Sequence, residues 1–424
     1  MVKLNDEISS NSPFVYMRKM NLKRGSSLEE RFVRMTDRIE KQDLGLYVHL
    51  PFCVKKCRYC DFLSAPATKE MQKKYCEALL KEIESYGFAA EQYKIRTIYL
   101  GGGTPSLLEE EWIGRILEKI CHTFSDIDKK QIEITLEVNP GTVNRAKWKA
   151  YEQMGINRIS IGLQSSHDEE LKLLGRVHFY SDFLQCYEDA RAQHFSNISV
   201  DIMSALPGQT IDTYRKTLER VVELKPEHIS SYSLIVEPET EFWQEYGPGM
   251  PKENVLPDED TDRKMYILTK EILKASGYDR YEISNYAIPG FESKHNSSYW
   301  TGVSYIGLGL GASSYFQGKR YCNCSHMEQY LQCASQKEKR VEQVEVIGRK
   351  EEMEEFMFLG LRMTKGIENA KFLQRFQEDI YTVYGSVIER LKKKNLLQEN
   401  GTNIWLTDYG IDVSNSVLSE FLLD

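Results

Sequence analysis

The chain has 424 residues, 41% hydrophobic and 28% charged, with 55 Lys and Arg against 63 Asp and Glu for a net charge of -8. That length exceeds one small domain, and the apolar fraction suffices for a core, which excludes wholesale disorder. The acidic balance argues against a general affinity for nucleic acid, which a basic surface would favour.

Residues 1–43 carry nine basic and seven acidic residues, so they form no basic arm. Leu28, Phe32, Met35 and Ile39 recur at four- and three-residue steps, which predicts a helix with one apolar face. Arg18, Lys19, Lys23 and Arg24 read as a solvated basic face. The segment lacks the apolar core of a secretory signal, and Glu29, Glu30 and Asp37 fit poorly with a transit peptide. A cytoplasmic protein is expected.

From Leu44 onward short apolar runs alternate with amphipathic stretches. Strands are predicted at 44–50, 96–101, 132–138, 158–163, 199–205 and 228–236. Helices are predicted at 69–86, 109–124, 145–154, 181–193 and 210–224. Six strands with intervening helices predict an α/β fold, a parallel sheet curled into a partial barrel or left open. Ligands then gather where the strands end and the βα loops begin.

Beyond Val236 the pattern changes. Pro238, Pro248, Pro251 and Pro257 punctuate a loop-rich crossing before a helix at 258–276. The uncharged stretch 295–318 exceeds twenty residues. Its part from Tyr299 to Gly318 holds five Gly and three Ser, so it reads as turn-rich and buried, not as a membrane span. Charge runs at 337–340 and 349–355 mark a boundary before a last unit with helices at 350–361, 370–376 and 386–394 and a turn at Asn400–Gly401. That order resembles a small winged-helix domain.

Nine cysteines is an odd number in a large chain, which favours thiols or metal ligands over disulfides. Cys76, Cys121 and Cys186 fall in helical patterns and read as small core residues. Cys322, Cys324 and Cys333 match no standard zinc spacing. Cys53, Cys57 and Cys60 differ, being spaced by three and two residues in a loop directly after the first strand. Three thiolates there suit a [4Fe–4S] cluster with one iron left open. A zinc site, which would want a fourth ligand, is the alternative.

These three cysteines resemble the cluster motif of the radical S-adenosylmethionine superfamily. The similarity continues through Tyr99-Leu-Gly-Gly-Gly-Thr104-Pro-Ser106, Glu137 in Leu-Glu-Val-Asn-Pro, Gln164 in Gly-Leu-Gln-Ser, Arg176 and His178 in Leu-Gly-Arg-Val-His, and Asp201 in Asp-Ile-Met-Ser-Ala-Leu-Pro-Gly-Gln-Thr. In this order the segments resemble the branch containing oxygen-independent coproporphyrinogen III oxidase, from Gly45 to the C-terminus. The resemblance implies that Tyr47, Tyr59, Gly102, Gly103, Thr104, Glu137, Gln164, Arg176 and Asp201 contact S-adenosylmethionine. His178 and His49 are expected to shape that site.

Two features separate the chain from the oxidase. Phe62 stands where the oxidase has a further cysteine, and residues 1–43 show no counterpart of the oxidase's N-terminal arm. The His295-Asn-Ser-Ser-Tyr299-Trp300 segment, with Tyr281–Tyr286 before it and Gly307–Ala312 after it, is similar to the heme-chaperone group of the branch. Ser313 departs from that group, where many members have His, and leaves one fewer candidate heme ligand. By this resemblance His295 binds heme iron beside the flat surfaces of Tyr299 and Trp300. Without it, a histidine hydrogen-bonded in the core beside an aromatic pair is the favoured reading of His295.

The implied organisation is an extension (1–43), a radical S-adenosylmethionine core (44–245), a family-specific segment with the heme motif (246–345) and a winged-helix-like domain (346–424). The implied function is delivery of heme to heme proteins such as respiratory enzymes. A cluster-dependent homodimer and membrane contact only through a recipient go with it. The rival is an enzyme acting on a tetrapyrrole, either decarboxylating coproporphyrinogen III or opening the heme ring.

Overall fold

The computed structural model describes residues 41–128 and 130–423. The helix face at Leu28, Phe32, Met35 and Ile39 and the basic cluster at Arg18, Lys19, Lys23 and Arg24 lie outside the described residues.

Six strands pair in parallel and in chain order: β1 (Gln42–Leu50), β2 (Tyr93–Gly102), β3 (Glu133–Val138), β4 (Arg158–Gln164), β5 (Ile198–Ser204) and β6 (His228–Ser233). Parallel neighbours need long crossovers. Helices Lys69–Ser85, Glu110–Thr123, Arg145–Gln153, Tyr180–Ala192 and Ile211–Glu223 supply them, close to their predicted spans. All seven residues of β4 are buried, as in a strand covered on both faces. Outward positions such as Leu44, Leu46 and Val48 of β1 pack into the main core with Tyr75, Leu79 and Ile83 of the first crossover helix.

The sheet stays open. On the β6 side it continues antiparallel through β8 (Asn285–Ala287) and β7 (Asp279–Arg280). On the β1 side β9 (Ser304–Leu308) adds in parallel, followed antiparallel by β10 (Ser313–Phe316), β11 (Lys319–Asn323) and β12 (Val341–Val346). The fold is α/β, a partial (β/α)6 barrel with an extended edge. The turn-rich reading of Tyr299–Gly318 therefore missed two strands. Gly307 lies inside β9 because a Cβ there would strike the Ser313 carbonyl.

One further expectation is corrected. Cys121 is exposed, whereas Cys76 and Cys186 are buried as expected. The charge run 337–340 is not uniformly exposed. Arg340 is fully buried, its Nε 3.2 Å from Glu82 Oε1 and 3.2 Å from Asn323 Oδ1. Glu82 also accepts from Gly309 N and Tyr330, so the carboxylate is enclosed by donors.

The C-terminal residues build a second core around Met357, Phe372, Phe376, Tyr384, Ile388 and Phe421. Helices Arg349–Gly360, Asn369–Phe376 and Ile380–Lys393 surround a small sheet of β13 (Ile367–Glu368), β15 (Asn403–Leu406) and β14 (Leu397–Glu399), the winged-helix-like pattern. The third helix begins six residues before its predicted start, with Gly385 inside it and the Asp379 carboxylate accepting from Tyr381 N. Gly401 turns the β14–β15 hairpin at φ +86°. Among the described residues no helix is long and apolar enough to cross a membrane.

Candidate cofactor and ligand site

The loop after β1 is pinned at both ends. Cys53 N donates to Ala65 O at 3.2 Å and Ala65 N to Pro51 O at 2.9 Å. The β2 end holds it from the other side, with Gly103 N on Leu50 O at 3.0 Å and Thr104 N on Phe52 O at 2.7 Å. The buried Phe52 ring meets Tyr75 edge-on. Gly103 is required by this approach, since a Cβ there would lie 2.8 Å from Phe52 O.

Cys53, Cys57 and Cys60 thereby rim a pocket of about 150 Å³ at the carboxyl ends of the strands. Tyr59, Gly102, Gly103, Thr104, Glu137, Gln164, Arg176 and Asp201 line it with them. Polar residues that sequence reasoning missed include Asn139, Ser160 and Tyr232, which also line it. Tyr47 lies elsewhere, in a larger neighbouring cavity.

The pocket is polar and organised. Glu137 accepts from Tyr99 Oη at 2.8 Å and Gly102 N at 3.0 Å, while burial pushes its carboxyl up to about 7. Arg176 donates to Gly162 O at 2.7 Å, Asn139 Oδ1 at 2.8 Å and Cys57 Sγ at 3.7 Å. Thr104 Oγ1 donates to Cys53 Sγ at 3.6 Å. Burial raises the Asp201 carboxyl and pushes the Cys60 thiol up to about 11. Gln164 adopts φ +72° at the end of β4 and accepts from Tyr232 Oη at 3.1 Å. His178 lies beneath the loop beside Cys57 and Arg176, and burial brings it down to about 3.

Three thiols, a guanidinium beside one of them and a glycine cradle suit a polynuclear iron–sulfur group with an amino-acid ligand. Among the described residues no three His, Cys, Asp or Glu side chains converge as a single metal ion requires. Of the late cysteines, Cys324 and Cys333 lie against each other and Cys322 turns away. Cys322 Sγ turns toward Gln343 Oε1 at 3.4 Å, while Cys324 and Cys333 are buried in the core.

The larger cavity, of about 770 Å³, lies against β1, β9 and the C-terminal unit. Tyr47, Tyr299, Trp300, Tyr305, Tyr315 and Phe356 give it broad aromatic walls, and Met363 and Ile367 add apolar surface. Arg320 and Arg375 bring positive charge, the first paired with Glu355 at 2.8 Å. The guanidinium of Arg362 stacks over Trp300 at 4.3 Å. Nothing in the sequence pattern pointed to residues 352–375 here, because they meet the barrel only through tertiary packing.

His49 Nε2 donates to Leu63 O at 2.8 Å, so Nδ1 accepts from Tyr47 Oη at 3.0 Å. His295 lies in the interior. It is 1% exposed and lines neither cavity. Its Nδ1 sits 2.8 Å from Thr97 Oγ1 and its Nε2 2.7 Å from Tyr299 Oη. Burial brings its pKa down to about 3, with Arg158 adding to the effect, so the ring is neutral. Tyr299, four residues on, stands between it and the cavity.

A model of the radical SAM superfamily matches residues 47–221, and one of the HemN C-terminal domain matches 347–413. The heme chaperone HemW of Lactococcus lactis subsp. lactis (strain IL1403) is 39% identical over 378 residues, 89% of this chain and 97% of that protein. The chain belongs to the HemW family. The HemW of Bacillus subtilis (strain 168) is 34% identical, over 89% of this chain and 98% of the relative. The Escherichia coli coproporphyrinogen III oxidase HemN shares the fold at a TM-score of 0.78, with 22% identity and 93% of each chain covered. Within the HemW family frame, the His-Asn-x-x-Tyr-Trp segment is helix Lys294–Trp300, held by Ser293 as its cap.

Proposed function

We propose that this chain is a cytoplasmic heme chaperone that binds heme in the 770 Å³ cavity and passes it to heme proteins such as respiratory enzymes. The observation that carries the reading is the seating of Tyr299 and Trp300 on that cavity, beside but apart from the cysteine pocket. Its volume and aromatic walls suit a flat apolar macrocycle. Arg320 and Arg375 are placed to meet propionate carboxylates.

In this reading His295 acts indirectly. It holds the Tyr299 hydroxyl, fixing the ring that lines the cavity, and does not itself reach iron. Cys53, Cys57 and Cys60 hold a [4Fe–4S] cluster, which when bound supplies an open iron and one-electron reduction. Tyr59, Gly102, Gly103, Thr104, Glu137, Gln164, Arg176 and Asp201 contact S-adenosylmethionine. Tyr47, facing the other cavity, would contact heme instead. Residues 44–245 are the cofactor core, 246–345 carry the heme motif, and 346–424 close the cavity.

The nearness of the two cavities favours one alternative, an enzyme that transforms the tetrapyrrole. Both readings are tested by incubating anaerobically reconstituted protein with hemin, S-adenosylmethionine and a reductant, then analysing pigment by mass spectrometry. The chaperone reading expects intact heme on the wild type and weaker retention by Trp300→Ala and Tyr299→Phe. An altered tetrapyrrole with matching 5′-deoxyadenosine would replace it with the enzyme.

A further inference from the structure

The two cavities meet at one side chain. Cys60 and Ser64 border the smaller, Asp61 and Leu63 border the larger, and Phe62 borders both. The Phe62 ring is 62% exposed and makes no ring contact among the described residues. Its backbone is nevertheless held close to the anchored cysteine loop, with Ser64 Oγ donating to Phe62 O at 3.4 Å. A benzyl group left in water forfeits the burial that normally stabilises it, unless ligands cover it. Among the residues lining the two cavities, Phe62 is the one they share.

We infer that Phe62 is the partition that keeps a macrocycle in the larger cavity out of the cofactor pocket. This rests on the proposed occupants of the two cavities. The smaller pocket holds only about 150 Å³, so a macrocycle reaches it only if this wall is lost. Phe62 is thus a specificity-determining residue: it lets both ligands bind at once without touching. Losing the ring joins the two volumes, and the macrocycle edge then slides toward the open iron.

The test titrates hemin into cluster-loaded protein, with and without saturating S-adenosylmethionine, and repeats the titration in the reverse order. In the wild type each ligand changes the other's affinity by less than about twofold, while in Phe62→Ala they weaken each other about fivefold or more. Phe62→Tyr, which keeps the ring, restores independence. The position is exposed, so the alanine variant keeps its fold. Mutual exclusion in the wild type, or independence in Phe62→Ala, overturns the partition while leaving the cavity assignments standing. Hemin affinity unmoved by Trp300→Ala, with S-adenosylmethionine binding intact, overturns the cavity assignment and the partition together.

Discussion

The imidazole of His295 lies stacked on the ring of Tyr99, centroids 5.0 Å apart and planes 25° apart. Tyr99 Oη donates to Glu137 in the cysteine pocket, and His295 Nε2 meets Tyr299 Oη at the larger cavity. Four side chains in contact thus join the two cavities through the barrel interior. This chain of contacts complements the Phe62 wall: one separates the ligands and the other ties their supporting side chains together.

Because His295 is buried with both ring nitrogens engaged, His295→Ala is expected to cost about 2–4 kcal/mol, from a cavity and two hydroxyls left unpaired. Heme retention should weaken as Tyr299 loosens. Denaturant unfolding and hemin titration on the same samples check this. Loss of heme with unchanged stability would instead make His295 the iron ligand.

The same histidine gives a pH signature. Its folded pKa of about 3 lies below the unfolded value of about 6.5, so between those limits the unfolded chain binds the extra proton. Stability owed to neutral His295 is full above pH 6.5 and drains as pH falls toward 3. Carboxyls raised by burial, Glu137 among them, slope the other way, so the wild-type curve alone is ambiguous. In that window wild-type stability should fall more steeply than that of His295→Gln, by about 1.4 kcal/mol per pH unit. Parallel curves would count against the assignment.

How much of this was legible beforehand depends on what each signal encodes. Strands β1 to β6 and their crossovers follow from local apolar periodicity, and the three cysteines from spacing. Their meeting with eight of the nine expected cofactor residues follows from the rule that parallel strands present their carboxyl ends together. Tyr47 lines the larger cavity because residues on one strand face share a side but not a cavity. The motif of His295 says nothing about Thr97, 198 positions away, which holds one of its ring nitrogens. The burial of Arg340 in a charge run was not legible because its partner Glu82 lies on a distant helix. In each case a long-range contact decided the role, and local sequence carries no trace of it.

Glu137 links the cofactor pocket to pH. Its carboxyl is pushed up to about 7 by burial, and S-adenosylmethionine carries positive charge that the ionised form would attract. Affinity should therefore rise as pH climbs from 5.5 to 7.5, approaching tenfold per unit below the pKa of about 7. Glu137→Gln should flatten that dependence. Calorimetric titration of cluster-loaded protein across the range reads it directly, and a slope surviving in the variant would assign the titration elsewhere.

The buried pair Glu82–Arg340 ties the first crossover helix to the far edge of the sheet. Both side chains are fully enclosed, so Glu82→Gln strands the guanidinium in a dry site and should cost about 3–5 kcal/mol. Glu82→Leu with Arg340→Met should cost clearly less, because no charge is then left unpaired. Urea unfolding of the three chains decides it. Equal losses would mean that the surrounding hydroxyl and amide groups, not the ion pair, hold this edge together.

Gly103 offers the sharpest test of how the fold positions the cysteines. A Cβ at this position lies 2.8 Å from Phe52 O and 2.9 Å from Phe52 N, inside any tolerable contact with rigid backbone. Phe52 cannot yield easily, since its ring is packed on Tyr75 and Cys53 follows it directly. Gly103→Ala should therefore push the loop outward at Cys53 and open the hydrogen bond from Thr104 N to Phe52 O. The strain is local, about 1–3 kcal/mol, so the chain stays folded while the thiols lose their common geometry. The expected result is near-normal circular dichroism with most iron and sulfide lost after anaerobic reconstitution. Full cluster loading in this variant would show that the loop sets its own geometry without support from β2.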